Sequence, residues 1–169
     1  MQGRLAINPG GGGAAYSTRT PQDEKLIPLI ERFVASSGAQ VRPAFERMCA
    51  SYAAQVQTWN LWRILEPTLE AAHTELARAC YLNVFPYRTA NDALPFESAR
   101  RAAWREIVSP LLTQLNPSIL VALGKKAGNI AQALHTAPPQ LFVVPRTIGD
   151  TYVSQDAGAV LDAIRNQKT

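Results

Sequence analysis

Four short apolar segments of strand length stand out along the chain. They are residues 4–8 (RLAIN), 79–85 (ACYLNVF), 118–123 (SILVAL) and 141–145 (LFVVP). The last two show no alternation with polar positions, which is typical of strands buried on both faces of a sheet. The pattern therefore predicts four β-strands.

A first helix is predicted between the first two strands. Thr20 has the side chain of an N-cap, Pro21 suits the first helical position, and Gly38 suits the residue after the last turn. Pro28 predicts a late start or a kink in this helix. The apolar residues at helical spacing, which we expect to face inward, are Leu26, Leu29, Ile30, Phe33 and Val34.

Five further helices follow from the same periodicity of 3.6 residues. The third spans residues 61–76 and is interrupted at Pro67, and the next two cover residues 96–115 and 125–134. Ser154 is the predicted N-cap of the last one. The second helix carries an apolar stripe made of Phe45, Met48, Cys49, Tyr52 and Val56.

Strands that alternate with helices imply parallel pairing through right-handed crossovers. We therefore predict one α/β domain over residues 1–169, a three-layer α/β/α sandwich with a four-stranded parallel sheet. Ligands of such folds bind beyond the carboxyl ends of the strands. This rule makes candidates of four loops, residues 9–19, 86–94, 124–126 and 146–154.

The composition limits the class of protein. The chain has 169 residues, of which 47% are hydrophobic and 18% charged, as in an ordinary folded domain. Its apolar runs are far shorter than the roughly 20 residues that span a bilayer. No secretory leader opens the sequence, so we expect a soluble cytoplasmic protein with no membrane partner.

The few cysteine and histidine residues argue against a metal site or other cofactor. The two cysteines, Cys49 and Cys80, are far apart in sequence, and we expect buried free thiols rather than a disulfide. Two cysteines are too few for an iron–sulfur cluster, and His73 and His135 are too isolated for zinc. The net charge of +4 permits a polyanionic partner without requiring one.

The loop after the first strand reads NPGGGGAAY from Asn8 to Tyr16. Glycines without Cβ atoms let backbone N–H groups approach a ligand closely, although a flexible turn explains the run equally well. The run matches neither the Walker A nor the dinucleotide-binding spacing. Pro9 is more informative because it keeps Asn8 extended and holds its side chain at the end of the strand.

Asn83 lies at the end of the second apolar segment. Asparagine is depleted in buried strands, so its presence calls for an explanation. Its amide offers donors and an acceptor side by side, which suits the edge of a nucleobase. The alternative is a polar residue that ties a loop to its strand.

The order of these motifs resembles the uracil-DNA glycosylase superfamily, whose fold is a four-stranded α/β/α sandwich. Residues 6–10 (AINPG) are similar to the G-[MI]-N-P-G first motif of the single-strand-selective and mismatch-specific branches, although Ala6 replaces the usual glycine. Residues 82–84 (LNV) are similar to the second-strand motif, whose asparagine contacts the uracil edge in several branches. Residues 119–127 (ILVALGKKA) are similar to the third strand and its turn.

The resemblance implies a monofunctional DNA glycosylase, a monomeric hydrolase of base-excision repair that uses no cofactor. Such an enzyme flips a uracil or a related damaged base out of DNA and cleaves its N-glycosidic bond. By this resemblance Asn8 positions the attacking water, and Asn83 recognises the base. Further implied base contacts are Gly10, Tyr16 and Phe85, and implied phosphate contacts are Gly11, Arg88, Lys125 and Lys126.

The loop after the fourth strand departs from the family pattern. The family usually has His-Pro-Ser or Asn-Pro-Ser there, and the first residue supports charge on the departing base. Residues 146–154 (RTIGDTYVS) contain no histidine. From their position, we assign the role of donor to the base oxygen or a phosphate to Arg146 or Thr147.

Two alternatives stay open from the sequence. The missing histidine favours a non-catalytic member of the same fold that binds nucleic acid or a nucleotide. A small α/β protein that holds a phosphorylated metabolite with residues 10–13 is the other. Salt-dependent binding to DNA separates this last alternative from the glycosylase and from the non-catalytic member of the same fold.

Overall fold

A computed structural model describes residues 2–6, 21–86, 93–135, 140–146 and 155–167. Within these ranges the mixed α/β class is confirmed, and most of the described residues are helical. The strands are β1 (Gln2–Ala6), β2 (Ala79–Asn83), β3 (Ile119–Leu123) and β4 (Leu141–Val144). Strands β2, β3 and β4 begin and end within two residues of their predicted limits. Strand β1 begins two residues earlier than predicted, and positions 7 and 8 of its predicted range lie outside the described residues.

The helices connect these strands in the predicted order. Between β1 and β2 lie α1 (Pro21–Val34), α2 (Val41–Val56) and α3 (Trp62–Ala71). Between β2 and β3 lie α4 (Glu97–Ala103), a π-helical segment (Trp104–Val108) and α5 (Ser109–Leu115), which follow one another without a break. The last two are α6 (Lys125–Leu134) and α7 (Gly158–Arg165).

The sheet has the strand order β2-β1-β3-β4, and every described pair is parallel. Strand β1 is therefore internal, between β2 and β3. In its register with β2, Ala6 is opposite Asn83, so both strands reach the same carboxyl edge of the sheet.

Two hydrophobic clusters lie on opposite faces of the sheet, because successive side chains of a strand point to opposite sides. Ile119, Val121 and Leu123 of β3 pack with α3 and α7 on what we call the α3 face. Leu120 and Ala122 of the same strand pack with α5, α6 and the π-helical segment on the α6 face. Helices therefore cover both faces.

This topology marks one point of the carboxyl edge as a natural crevice. The connection from β1 to β2 includes α2 and α3, which contribute to the cluster on the α3 face. The connection from β3 to β4 is α6, which packs on the opposite face. The two strands are neighbours, so their connections diverge from adjacent strand ends. A divergence of this kind opens a ligand-binding crevice in α/β sheets.

The predicted interruption of the third helix at Pro67 was wrong, and so was a late start of the first helix because of Pro28. Helix α1 runs through Pro28 and α3 runs through Pro67. Proline inside a helix costs about 3 kcal/mol. In α3, Ile64, Leu65 and Leu69 are buried, and each buried side chain of this size contributes about 2 kcal/mol. Burial therefore outweighs the proline. In α1, Pro28 is exposed, which lets water solvate the carbonyl group left without its helical partner.

The predicted inward stripes of α1 and α2 were partly wrong. Phe33 and Phe45 do meet across the two helices, with ring centroids 5.5 Å apart. However, Ile30 and Phe45 are nearly half exposed, and Val34 is 75% exposed. The reason is that α1 packs mainly against α2 and leaves its outer side in solvent.

The thiol prediction was also partly wrong. Both cysteines are free, as expected, but Cys49 is exposed on α2 and Cys80 is half-buried in β2. Burial raises the pKa of both thiols above its ordinary value. None of the helices in the described ranges combines the length and the apolarity needed to cross a bilayer.

Candidate functional site

The carboxyl edge of the sheet brings together residues from three segments. Asn83 ends β2, Gly124 follows β3 directly, and Arg146 lies two residues beyond the end of β4. Lys125 and Lys126 open α6 beside Gly124. These residues lie at the strand ends on both sides of β1 and β3, where the topology predicts a crevice.

Asn83 has a buried oxygen that its neighbours do not satisfy. The residue is half-buried, and its Oδ1 atom has no hydrogen-bond partner among the residues that the structure describes. A buried acceptor left unpaired costs about 1–3 kcal/mol. Unsatisfied polar groups of this kind are rare in native proteins, and a ligand that donates to them is one explanation.

Arg146 lies directly over the turn that follows β3. Gly124 adopts a φ of 103°, which side-chain-bearing residues rarely adopt. A Cβ atom there would come within 2.6 Å of the Arg146 Nε and 3.1 Å of its Nη2. The Gly124 N–H donates to the Val144 carbonyl at 2.8 Å and so fixes the turn to β4. The missing side chain of Gly124 therefore makes room for the guanidinium.

The pKa of Tyr81 in β2 depends on its burial and on two neighbouring residues, Tyr52 and Arg146. Burial raises the pKa of Tyr81 far above its ordinary value, Tyr52 raises it further, and the guanidinium of Arg146 opposes this. Tyr81 packs against the cluster on the α3 face. Asn83 is two residues further along the same strand, so its side chain leaves the strand on the same side. Tyr81 and Asn83 thus leave β2 on the same side of the sheet.

The raised pKa of Tyr52 predicts a loss of folding stability at alkaline pH. Burial, followed by the nearby Cys80, raises the pKa of Tyr52 from 10.0 to about 12. The unfolded chain then releases this proton at a lower pH than the folded chain does. The stabilising contribution is complete below pH 10 and is lost as the pH rises to about 12, by up to about 2 kcal/mol. Urea unfolding at pH 9 and pH 11.5 measures this loss.

The Tyr52→Phe variant is the matched comparison for that experiment. It keeps the ring that meets Trp59 edge-on at 5.8 Å between centroids, and it removes only the titrating hydroxyl. We expect the variant to lose about 1–2 kcal/mol less than the natural chain between the two pH values. Equal losses would show that Tyr52 does not titrate as described.

The lysines predicted to bind phosphate are exposed at the first two positions of α6. The first turn of this helix carries no acidic residue. The positive end of the helix dipole therefore adds to the two ammonium groups, which favours an anion at this end.

The structure describes some of the predicted site residues and not others. Asn83, Arg146, Lys125 and Lys126 lie at one edge of the sheet, and Phe85 is half-buried just after β2, which ends two residues earlier than predicted. Six predicted residues lie outside the described ranges: Asn8, Gly10, Gly11, Tyr16, Arg88 and Thr147.

Sequence reasoning placed Gly124 in a candidate loop without giving it a role, and it missed Tyr81 as part of this edge. A glycine directly between a buried strand and a helix was a visible signal for Gly124. Tyr81 gave no signal, because a tyrosine in an apolar strand is ordinary core sequence.

The chemistry at this edge is that of amides and cations. Within the described residues, no group of three or more histidine, cysteine, aspartate or glutamate side chains could hold a metal ion. Comparison with protein-family models, with curated proteins and with solved structures found no match for this chain.

Proposed function

We propose that this protein is a DNA glycosylase that hydrolyses the N-glycosidic bond of uracil or a related damaged base. The observation that carries the proposal is the buried, unpaired Oδ1 of Asn83 at the carboxyl edge of the sheet. The N3–H of a uracil ring donates to such an oxygen, while the amide N–H groups of Asn83 donate to the neighbouring carbonyl oxygen of the base. A flipped base would therefore satisfy an acceptor that has no partner among the residues that the structure describes.

The position of β1 supports a role for Asn8 in the same site. Ala6 pairs with Asn83, and neighbouring strands lie about 4.8 Å apart. Asn8 follows Ala6 by two residues, and each residue extends the chain by at most about 3.6 Å. We therefore propose that Asn8 lies near Asn83. We propose that its amide orients the water that attacks C1′.

The proposed mechanism depends on neutral and cationic groups. Cleavage leaves positive charge on the sugar and negative charge on the base, and a donor near the base oxygen stabilises the latter. Arg146 is the proposed donor in place of the histidine common in the family. Asn8 is an amide and no strong base, so it accelerates attack by orienting the water rather than by taking its proton. Lys125 and Lys126 would contact the phosphates beside the flipped nucleotide.

The fold is part of the same proposal. A parallel sheet with helices on both faces agrees with a glycosylase-type α/β/α sandwich, and we propose that the chain is a member of the uracil-DNA glycosylase superfamily. Strand β1 at a far edge of the sheet would have argued against it, but β1 is internal.

The test is an excision assay on a single-stranded oligonucleotide with one uracil, followed by alkaline cleavage of the abasic site. We expect cleaved product from the natural chain and a loss of about 100-fold or more in Asn8→Ala, because a positioned water and proton-transfer group contributes at least that much. Hypoxanthine and mismatched substrates in parallel reactions define the preferred base.

Asn8→Ala purified in the same way also controls for contaminating host enzymes. Its circular dichroism and its affinity for DNA should match those of the natural chain. Salt-dependent DNA binding by the natural chain without excision would support the non-catalytic alternative, which the missing histidine favours. Excision that persists unchanged in Asn8→Ala would end the catalytic assignment.

A further inference from the structure

A second concave surface lies at the tip of the hairpin formed by α1 and α2, away from the carboxyl edge of the sheet. Its cavity has a volume of about 330 Å³ and is lined on its polar side by Arg32, Ser36, Ser37, Gln40 and Arg47. Small-molecule sites in proteins begin at about this size. The pocket is formed by the end of α1, the connecting turn and the start of α2.

The lining is rich in groups that donate hydrogen bonds to an anion. Arg32 and Arg47 come from different helices and line the same cavity, while no carboxylate lines it among the residues described. Neither arginine has an ion pair within the described part of the chain. Arg42 on the same helix as Arg47 differs, since it pairs with Glu46 at 2.8 Å and lies outside the pocket.

Local backbone structure adds to this character. Ser37 precedes a 3₁₀ turn, and its side chain makes no capping hydrogen bond, which leaves the hydroxyl available to a ligand. Ala44 in the first turn of α2 is buried against the pocket. Because the cavity lies beside both the positive end of the α2 dipole and the negative end of the α1 dipole, its preference for an anion comes from the arginines rather than from the helices.

We propose that this pocket, which we call the hairpin pocket, binds a small phosphorylated molecule of the size of a sugar phosphate. Two arginines from different helices that line one cavity suit a phosphate, since each guanidinium can form two parallel hydrogen bonds to its oxygens. The volume holds a ligand of that size and excludes a folded macromolecule. This site is separate from the proposed glycosylase site and does not depend on it.

The test uses titration calorimetry of the full chain with ribose 5-phosphate and with inorganic pyrophosphate at fixed ionic strength. We expect one binding site for at least one of these probes. Arg32→Ala and Arg47→Ala should each weaken binding at least tenfold, because each removes a charge-assisted donor. Arg42→Ala, an equal loss of charge outside the pocket, should change the affinity less than twofold.

Both arginines are exposed, so their variants should fold, and circular dichroism checks this. Absence of binding by both probes overturns the proposal. So does binding that survives both Arg32→Ala and Arg47→Ala, or that falls equally in Arg42→Ala. Binding of a single-stranded oligonucleotide through these two arginines, without binding of either small probe, would also overturn it in favour of a nucleic-acid contact.

Discussion

Replacing Asn83 with alanine is expected to reduce uracil excision by about 100-fold or more while leaving the fold as stable as before or slightly more stable. The activity falls because the variant loses the hydrogen bonds to the base edge, and polar groups of a buried base left unpaired cost about 1–3 kcal/mol each. Two such losses correspond to about two orders of magnitude.

The stability should move in the opposite direction from the usual effect of a mutation in a half-buried strand. The Oδ1 atom of Asn83 is buried without a partner in the described structure, so alanine removes an unsatisfied acceptor. We expect a change in unfolding free energy between zero and about 1 kcal/mol in favour of the variant. Thermal or urea unfolding measures this.

Asn129→Ala is the matched control, because it makes the same chemical change at an exposed position of α6. It should leave excision unchanged and raise stability by at most about 0.7 kcal/mol, because alanine is the better helix former. Natural excision rates and base preference in Asn83→Ala would remove the residue from the site. A destabilisation above about 1 kcal/mol would instead assign Asn83 the alternative role of tying the loop to its strand.

Gly128→Ala is expected to destabilise the protein by about 2–3 kcal/mol, although alanine is the better helix former by about 1 kcal/mol. A Cβ atom at position 128 would overlap Val143 Cγ1 and lie 2.7 Å from its Cγ2. Helix α6 and strand β4 would have to move apart, which disturbs the α6 face. Urea unfolding of the two chains measures the difference.

The double variant Gly128→Ala/Val143→Ala tests this cause. Removal of the valine methyl groups creates room for the new Cβ. We therefore expect the double variant to lose at least about 1 kcal/mol less unfolding free energy than the two single variants lose together. Gly158→Ala is the control, since a Cβ there meets nothing within 4 Å, and it should be neutral or slightly stabilising. Additive effects of the two changes would refute the proposed steric contact.

Much of the fold could be predicted because its signals are local. The apolar runs of β3 and β4 are continuous, and the structure buries every residue of β3. Residue spacing alone gave α6 its observed limits. The proline of α3 misled the prediction because its cost is local, whereas the burial that outweighs it comes from distant residues.

The site was predictable in its strand-end residues but not in its contacts. Asn83 was singled out because an asparagine is unusual in an apolar strand. The approach of Arg146 to Gly124 depends on the neighbouring positions of β3 and β4, which no sequence spacing reveals. The exposure of Ile30 and Val34 likewise depends on which side of α1 meets α2, and an amphipathic pattern does not specify its partner.

Strand β3 divides its side chains between the two clusters, with Ile119, Val121 and Leu123 on one side and Leu120 and Ala122 on the other. Neither helical layer can separate from the sheet without uncovering residues of this one strand. The body of the molecule should therefore melt as a single cooperative unit, without an intermediate that keeps one layer intact. The α1–α2 hairpin contributes few residues to the two clusters that contain this strand. Amide exchange should therefore begin in the hairpin.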